Sequence, residues 1–149
     1  AIFNRFIQYF DGNFPSAKQI LVTPEIKLKE CGLSFNKLST IIEIASQEEN
    51  EELENRKGFE VMSDTQIIQK LTKIKGIGEW TAQMLMIFNL GKLDIFPVGD
   101  FALKKNYSLF KNIASPISMK DLSKISKEWK PFRSIAAWYL WKYKLKSIK

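Results

Sequence analysis

Apolar residues recur at three- and four-residue spacing along almost the whole chain, and Gly, Pro and Asp-Gly signals cut that spacing into short segments. Ile2, Phe3, Phe6, Ile7 and Phe10 form one helical face before Asp11-Gly12-Asn13 stops it. Thr23-Pro24 reads as an N-cap with a first-turn proline, opening a short helix to Glu30 that Cys31-Gly32 ends. Ser34 caps a helix through Ala45, and residues 48–54 are either its exposed continuation or a loop. Ser63 or Asp64 caps a helix through Lys73. A hairpin follows at Lys75-Gly76-Ile77-Gly78, and the next helix covers about 79–90 with Gly91 just past its end. An extended loop with Pro97 leads to helices over about 100–110, 118–126 and 131–143 or beyond. No alternating β pattern appears, so the expected fold class is all-α with many short helices.

A chain of 149 residues is long enough for one self-sufficient core, and a single domain over 1–149 is expected. The chain opens inside its first helix with no capping residue ahead of Ile2, which reads as a truncated start. The absence of His excludes Ser-His-Asp and Cys-His triads and His-ligated zinc. One Cys excludes an intramolecular disulfide, a four-Cys iron–sulfur cluster and a CxxC pair, and Cys31 reads as a small core residue. Acid–base chemistry therefore falls to carboxylates, Lys, Tyr or Cys. No apolar run approaches the ~18 residues of a membrane span, no signal peptide opens the chain, and cysteine scarcity suits a reducing interior. An intracellular protein is expected.

The net charge of +7 is unevenly distributed. Residues 43–60 hold seven Glu against Arg56 and Lys57, whereas residues 120–149 hold nine Lys or Arg against Asp121 and Glu128. A basic end can meet a polyanion, or can be a solvated helix face.

The informative segment is LTKIKGIGEWTAQMLMIFNLGKLDIFPVGDF, residues 71–101. Gly76 and Gly78 around Ile77 permit a tight turn and the close approach of another backbone. The helix after the turn exposes its first amides, which bind phosphate well. Gly-x-Gly alone reads as an ordinary αα-hairpin. Leu71, Ile74, Gly76, Ile77, Gly78, Thr81 and Ala82 together have the spacing of a DNA-binding helix–hairpin–helix over about 64–90. Asp100 lies 22 residues after Gly78, behind Phe96-Pro97.

Three ordered strings, KGIGEWTAQM at 75–84, IFPVGDFALKK at 95–105 and WKPFRSIAAWYLWK at 129–142, resemble the helix–hairpin–helix (HhH-GPD) DNA glycosylases, within them the 3-methyladenine DNA glycosylase II branch. The resemblance covers most of the chain after about residue 60 and residues 1–45 more loosely. It implies a monofunctional glycosylase of base excision repair that cleaves the N-glycosidic bond of alkylated purines in duplex DNA. The family's catalytic aspartate falls on Asp100, which would stabilise the oxocarbenium-like sugar and orient or deprotonate the attacking water. Asp100 is also a good N-cap for the helix that follows, and the two roles are compatible. Bifunctional relatives carry a Schiff-base Lys two residues after the hairpin's second glycine. Trp80 stands there, so no lyase activity is expected. The resemblance also places a wedge-bearing helix upstream of residue 1.

A flipped base needs an aromatic wall. Trp80, Trp141 by motif position and Met84 one turn after Trp80 are the candidates, and an indole face suits a cationic methylated base. Trp138, Tyr139 and Tyr143 read as core, and Trp129 as packing. Lys75, Gly76, Ile77, Gly78, Thr81, Lys104, Lys105, Lys130 and Arg133 are the candidate phosphate contacts. The carbonyls of Ile74 and Gly76 are a candidate monovalent-cation site, and no other cofactor is expected. Expected partners are damaged double-stranded DNA and no membrane, with the chain a monomer. The residues 43–60 should face away from DNA. A non-catalytic helix–hairpin–helix DNA-binding module, or a truncated inactive glycosylase, is the alternative. A basic helical adaptor would leave the hairpin and Asp100 unexplained.

Overall fold

The computed structural model describes residues 1–143, and among these all regular secondary structure is helical, as the apolar spacing requires. The chain forms two compact units, Ala1–Gly78 and Glu79–Lys149.

The first unit holds α1 (Ile2–Tyr9), α2 (Ala17–Val22), α3 (Glu25–Glu30), α4 (Phe35–Glu49), α5 (Arg56–Glu60) and α6 (Asp64–Leu71). Helices α2 and α3 pack on α4, burying Phe6, Ile20, Leu28, Cys31, Leu38 and Ala45 together. Cys31 is thus the small core residue its context suggested. Helices α2 and α5 add to the elements that the apolar spacing predicts. Helix α2 is carried by a capping box in which Ser16 and Gln19 satisfy each other's backbone amides, a Ser-x-x-Gln signal present in the sequence. Thr23 consequently ends α2, its hydroxyl donating to the Gln19 carbonyl at 2.7 Å, and Pro24 alone occupies the cap of α3. Helix α4 runs past Ala45 to Glu49, and a turn at Glu51 follows. A second capping box, Ser63 with Gln66, selects Ser63 over Asp64 as the cap of α6. That helix stops at Leu71, two residues before the expected end, as the Thr72 hydroxyl donates to the Ile68 carbonyl. The unit closes on the hairpin glycines. Gly76 takes φ +89° with its α-carbon against Thr40 of α4, so any side chain there meets both backbone strain and the Thr40 hydroxyl.

The second unit holds α7 (Glu79–Phe88), α8 (Phe101–Phe110), α9 (Met119–Ser126), a 3-10 turn (Lys127–Trp129) and α10 (Arg133–Lys142). Helix α7 ends two residues short of expectation, and Gly91 has the left-handed φ of +69°. Phe96, Leu103, Tyr107, Leu122, Ala137 and Leu140 make the core, with Trp129 packed against Phe96 and Tyr107 as the sequence suggested. Helix α10 starts at Arg133 rather than residue 131. Its expected extension beyond Tyr143, like the last part of the basic run at 120–149, lies outside the described residues.

The loop of residues 91–99 is tied to the start of α10. Arg133 donates to both carboxylate oxygens of Asp94 at 2.6 and 2.9 Å and to its carbonyl at 2.8 Å. The Ser134 hydroxyl donates to the Lys92 carbonyl at 2.7 Å and accepts from the Ile95 amide at 2.9 Å, while the Ser134 amide donates to the Leu93 carbonyl at 2.8 Å. Hydrogen bonding to the Arg133 guanidinium, which outweighs the opposing effect of burial, holds the Asp94 carboxyl below the ordinary carboxylate range. The depressed value means the unfolded chain binds this proton more readily. The stabilisation is full above the unfolded value of about 4 and disappears as pH falls through the lower folded value. The melting-temperature gap between the unsubstituted chain and Asp94→Asn is expected to be wide at neutral pH and to narrow as pH falls below the unfolded value of about 4. A gap independent of pH would show that the pair contributes nothing through ionisation.

Candidate active site

Loop 91–99 delivers Asp100 to the N-cap of α8. Ile95, Phe96 and Pro97 are buried beneath it, and the Asp100 amide donates to the Pro97 carbonyl at 2.9 Å. Asp100 has the extended backbone of an N-cap, φ −66° and ψ 123°. Its Oδ1 accepts from the Leu103 amide at 2.9 Å. Its Oδ2 accepts from the Trp80 indole N–H at 2.7 Å. Trp80 sits in the first turn of α7, so two helices from distant parts of the sequence meet at one carboxylate. Asp100 is only 9% exposed whereas Trp80 is 52% exposed, so a nearly buried acid lies under an open indole. Capping and the Trp80 contact engage different oxygens, so the cap does not occupy the whole carboxylate.

The other candidates are less closely joined. Met84 is half-buried one turn along α7 from Trp80. Trp141 is half-buried on α10, its ring 5.7 Å from that of Phe88 and packed against the core of the second unit. Among the described residues, no ring contact or hydrogen bond joins Trp141 to Trp80 or Asp100.

Arg133, a candidate phosphate contact, has its guanidinium engaged by Asp94, 39 residues away, a pairing without a local sequence signal. One sequence expectation is corrected: Trp138 and Tyr139 are not core. They are 41% and 67% exposed, and with Ile87, Phe88, Leu93 and Ile135 they line an open apolar groove of about 350 Å³. The ammonium of Lys142 lies 4.0 Å from the Trp138 ring centroid. Helix α10 buries the narrow stripe Ser134, Ala137 and Leu140, which leaves the large rings on its other side.

Lys75, Thr81, Lys105 and Lys130 are exposed and Lys104 is half-buried. In the hairpin, Ile77 is half-buried, Gly78 is exposed with open space at its α-carbon, and the Ile74 carbonyl accepts from the Ile77 amide at 3.0 Å. Among the described residues no cluster of three His, Cys, Asp or Glu side chains can hold a metal, so a cation here would take backbone oxygens. Nor, among the described residues, is any helix long and apolar enough to cross a membrane. The residues the sequence did not point to are Asp94, Ser134 and the Leu103 amide, which hold the loop and the carboxylate.

Comparison with known proteins matches residues 1–132 to the HhH-GPD superfamily of base excision DNA repair proteins. The alkylbase DNA glycosidase-like protein mag2 of Schizosaccharomyces pombe is 38% identical over 95% of this chain and 67% of its own length. DNA-3-methyladenine glycosylase 1 of the same yeast is 34% identical over 95% of this chain and 63% of its own. Among solved structures, the S. pombe 3-methyladenine DNA glycosylase Mag1 in complex with abasic DNA superposes with a TM-score of 0.89 at 34% identity, covering 95% of this chain and 69% of that one. This chain therefore spans about two thirds of the length of these relatives.

Proposed function

We propose that this chain, which belongs to the HhH-GPD superfamily of base excision DNA repair proteins, is a monofunctional DNA glycosylase that releases alkylated purines from duplex DNA. The carrying observation is the Asp100 carboxylate, nearly buried and held by the Trp80 indole and the Leu103 amide. A base methylated on a ring nitrogen is cationic and leaves readily, so the protein's task is to stabilise the positive charge left on the sugar. A fixed carboxylate does that electrostatically and can accept a proton from the attacking water. The exposed face of Trp80, with Met84 and Trp141, supplies the wall for the extruded base.

Trp80 stands where the family's bifunctional members carry a Schiff-base Lys, and its indole offers no nucleophile, so strand cleavage at the abasic product is not expected. The hairpin amides around Gly76, Ile77 and Gly78, with Lys75, Thr81, Lys104 and Lys105, are the phosphate contacts. The Ile74 and Gly76 carbonyls supply oxygen donors suited to a monovalent cation that would neutralise phosphate charge beside the hairpin. Arg133, a further candidate contact, also fastens the loop through Asp94. The protein acts as a monomer on cellular DNA.

Release of free methylated purine from alkylated duplex DNA tests the reading. Free base without strand nicking is the expected result. The second reading is a DNA-binding module without catalysis, which the Gly76–Gly78 hairpin alone would serve. Tight binding to the same duplex with no base release would establish that reading and overturn the first.

A further inference from the structure

We infer that Trp80 is a positioning residue for Asp100 and not solely a wall for the base, an inference that rests on the glycosylase reading. The indole N–H is a single donor with no acceptor capacity. On a ring 52% exposed it could bond water, yet it points to Asp100 Oδ2 at 2.7 Å. The opposite oxygen is held by the Leu103 amide at 2.9 Å. Two donors on two different oxygens set the carboxylate plane, which one cap bond alone leaves free to rotate. Hydrogen bonds to an ionised acceptor are also the stronger kind.

The backbone of Asp100 is fixed by other means. Asp94–Arg133 and Ser134 anchor the loop before it, and the Pro97 carbonyl accepts its amide. Trp80 therefore governs the orientation of the side chain rather than the location of the residue. Because the same ring presents its open face to the base, one residue couples base seating to the aim of the carboxylate.

The substitution Trp80→Phe separates these roles, since it keeps an aromatic face and removes the donor. In single-turnover release of 7-methylguanine from alkylated duplex at saturating protein, the rate constant is expected to fall about tenfold, which is about 1.4 kcal/mol. Affinity for a duplex carrying a tetrahydrofuran abasic analogue should stay within about twofold, a difference of under half a kcal/mol. A second readout needs no activity. The indole 1H–15N resonance lost in Trp80→Phe identifies Trp80, and in Asp100→Asn it should move upfield, toward a solvent-bonded indole. An unmoved resonance overturns the inference. So does an unchanged release rate in Trp80→Phe, or a loss of rate matched by an equal loss of affinity. If the resonance moves but the unsubstituted chain releases no base, the contact stands and the glycosylase reading fails, so the two failures are distinguishable.

Discussion

Asp100→Asn is expected to slow release of methylated purine from alkylated duplex DNA by at least about a hundredfold, the scale on which removal of one pre-aimed electrostatic group acts. DNA affinity should not weaken. The substitution removes the charge that faces the developing cation on the sugar. It preserves shape, and Asn is as good an N-cap as Asp, so the bond from the Leu103 amide and the start of α8 should persist. Rate and affinity measured on one preparation, with a melting curve to show an intact fold, check the prediction. Base release within a few-fold of the unsubstituted chain would remove Asp100 from the chemistry and leave it as a cap. A parallel loss of affinity would move its role to binding.

Leu103→Ala should produce the largest stability effect near the site, a loss of about 2–5 kcal/mol. Leu103 is fully buried, in a core shared with Phe96, Tyr107, Leu122, Ala137 and Leu140, and truncation leaves a cavity between α8 and its neighbours. The amide that holds Asp100 Oδ1 belongs to the backbone and survives the change. Thermal unfolding should shift down by roughly 5–15 °C, while molecules still folded at low temperature keep most of their base release. A shift of only a degree or two would mean that the core collapses around the missing side chain. A folded variant without activity would show that the carboxylate depends on the Leu103 side chain as well as its amide.

Much of this was legible along the chain because the signals are local. Apolar spacing marks helix faces, and Ser63 with Gln66 marks a helix start, because a cap bond closes within four residues. The same logic was available for Ser16 and Gln19, so α2 was readable in the sequence although the Thr23-Pro24 signal drew the boundary elsewhere. Helix α5 has a weaker signal, the Asn55 side chain accepting from the Gly58 amide, in a segment dominated by Glu. Trp80 and Asp100 were each identified by the motif in which they lie. Periodicity gives the spacing of the face that holds Trp138 and Tyr139 but not whether that face is covered, and the structure leaves both rings exposed.

The sequence by itself determined an all-helical chain, the positions of the Gly76–Gly78 turn and of Asp100 as a cap, and the exclusion of histidine chemistry. These follow from backbone sterics, cap hydrogen bonds and composition, all of which act over a few residues. Only the tertiary structure decided that Arg133 closes on Asp94, that Ser134 fastens the loop, and that the Trp80 indole donates to Asp100 Oδ2. Those contacts join residues 20 to 42 positions apart. Their partners are set by how helices and loops pack, and charge or ring type alone leaves many equivalent pairings open.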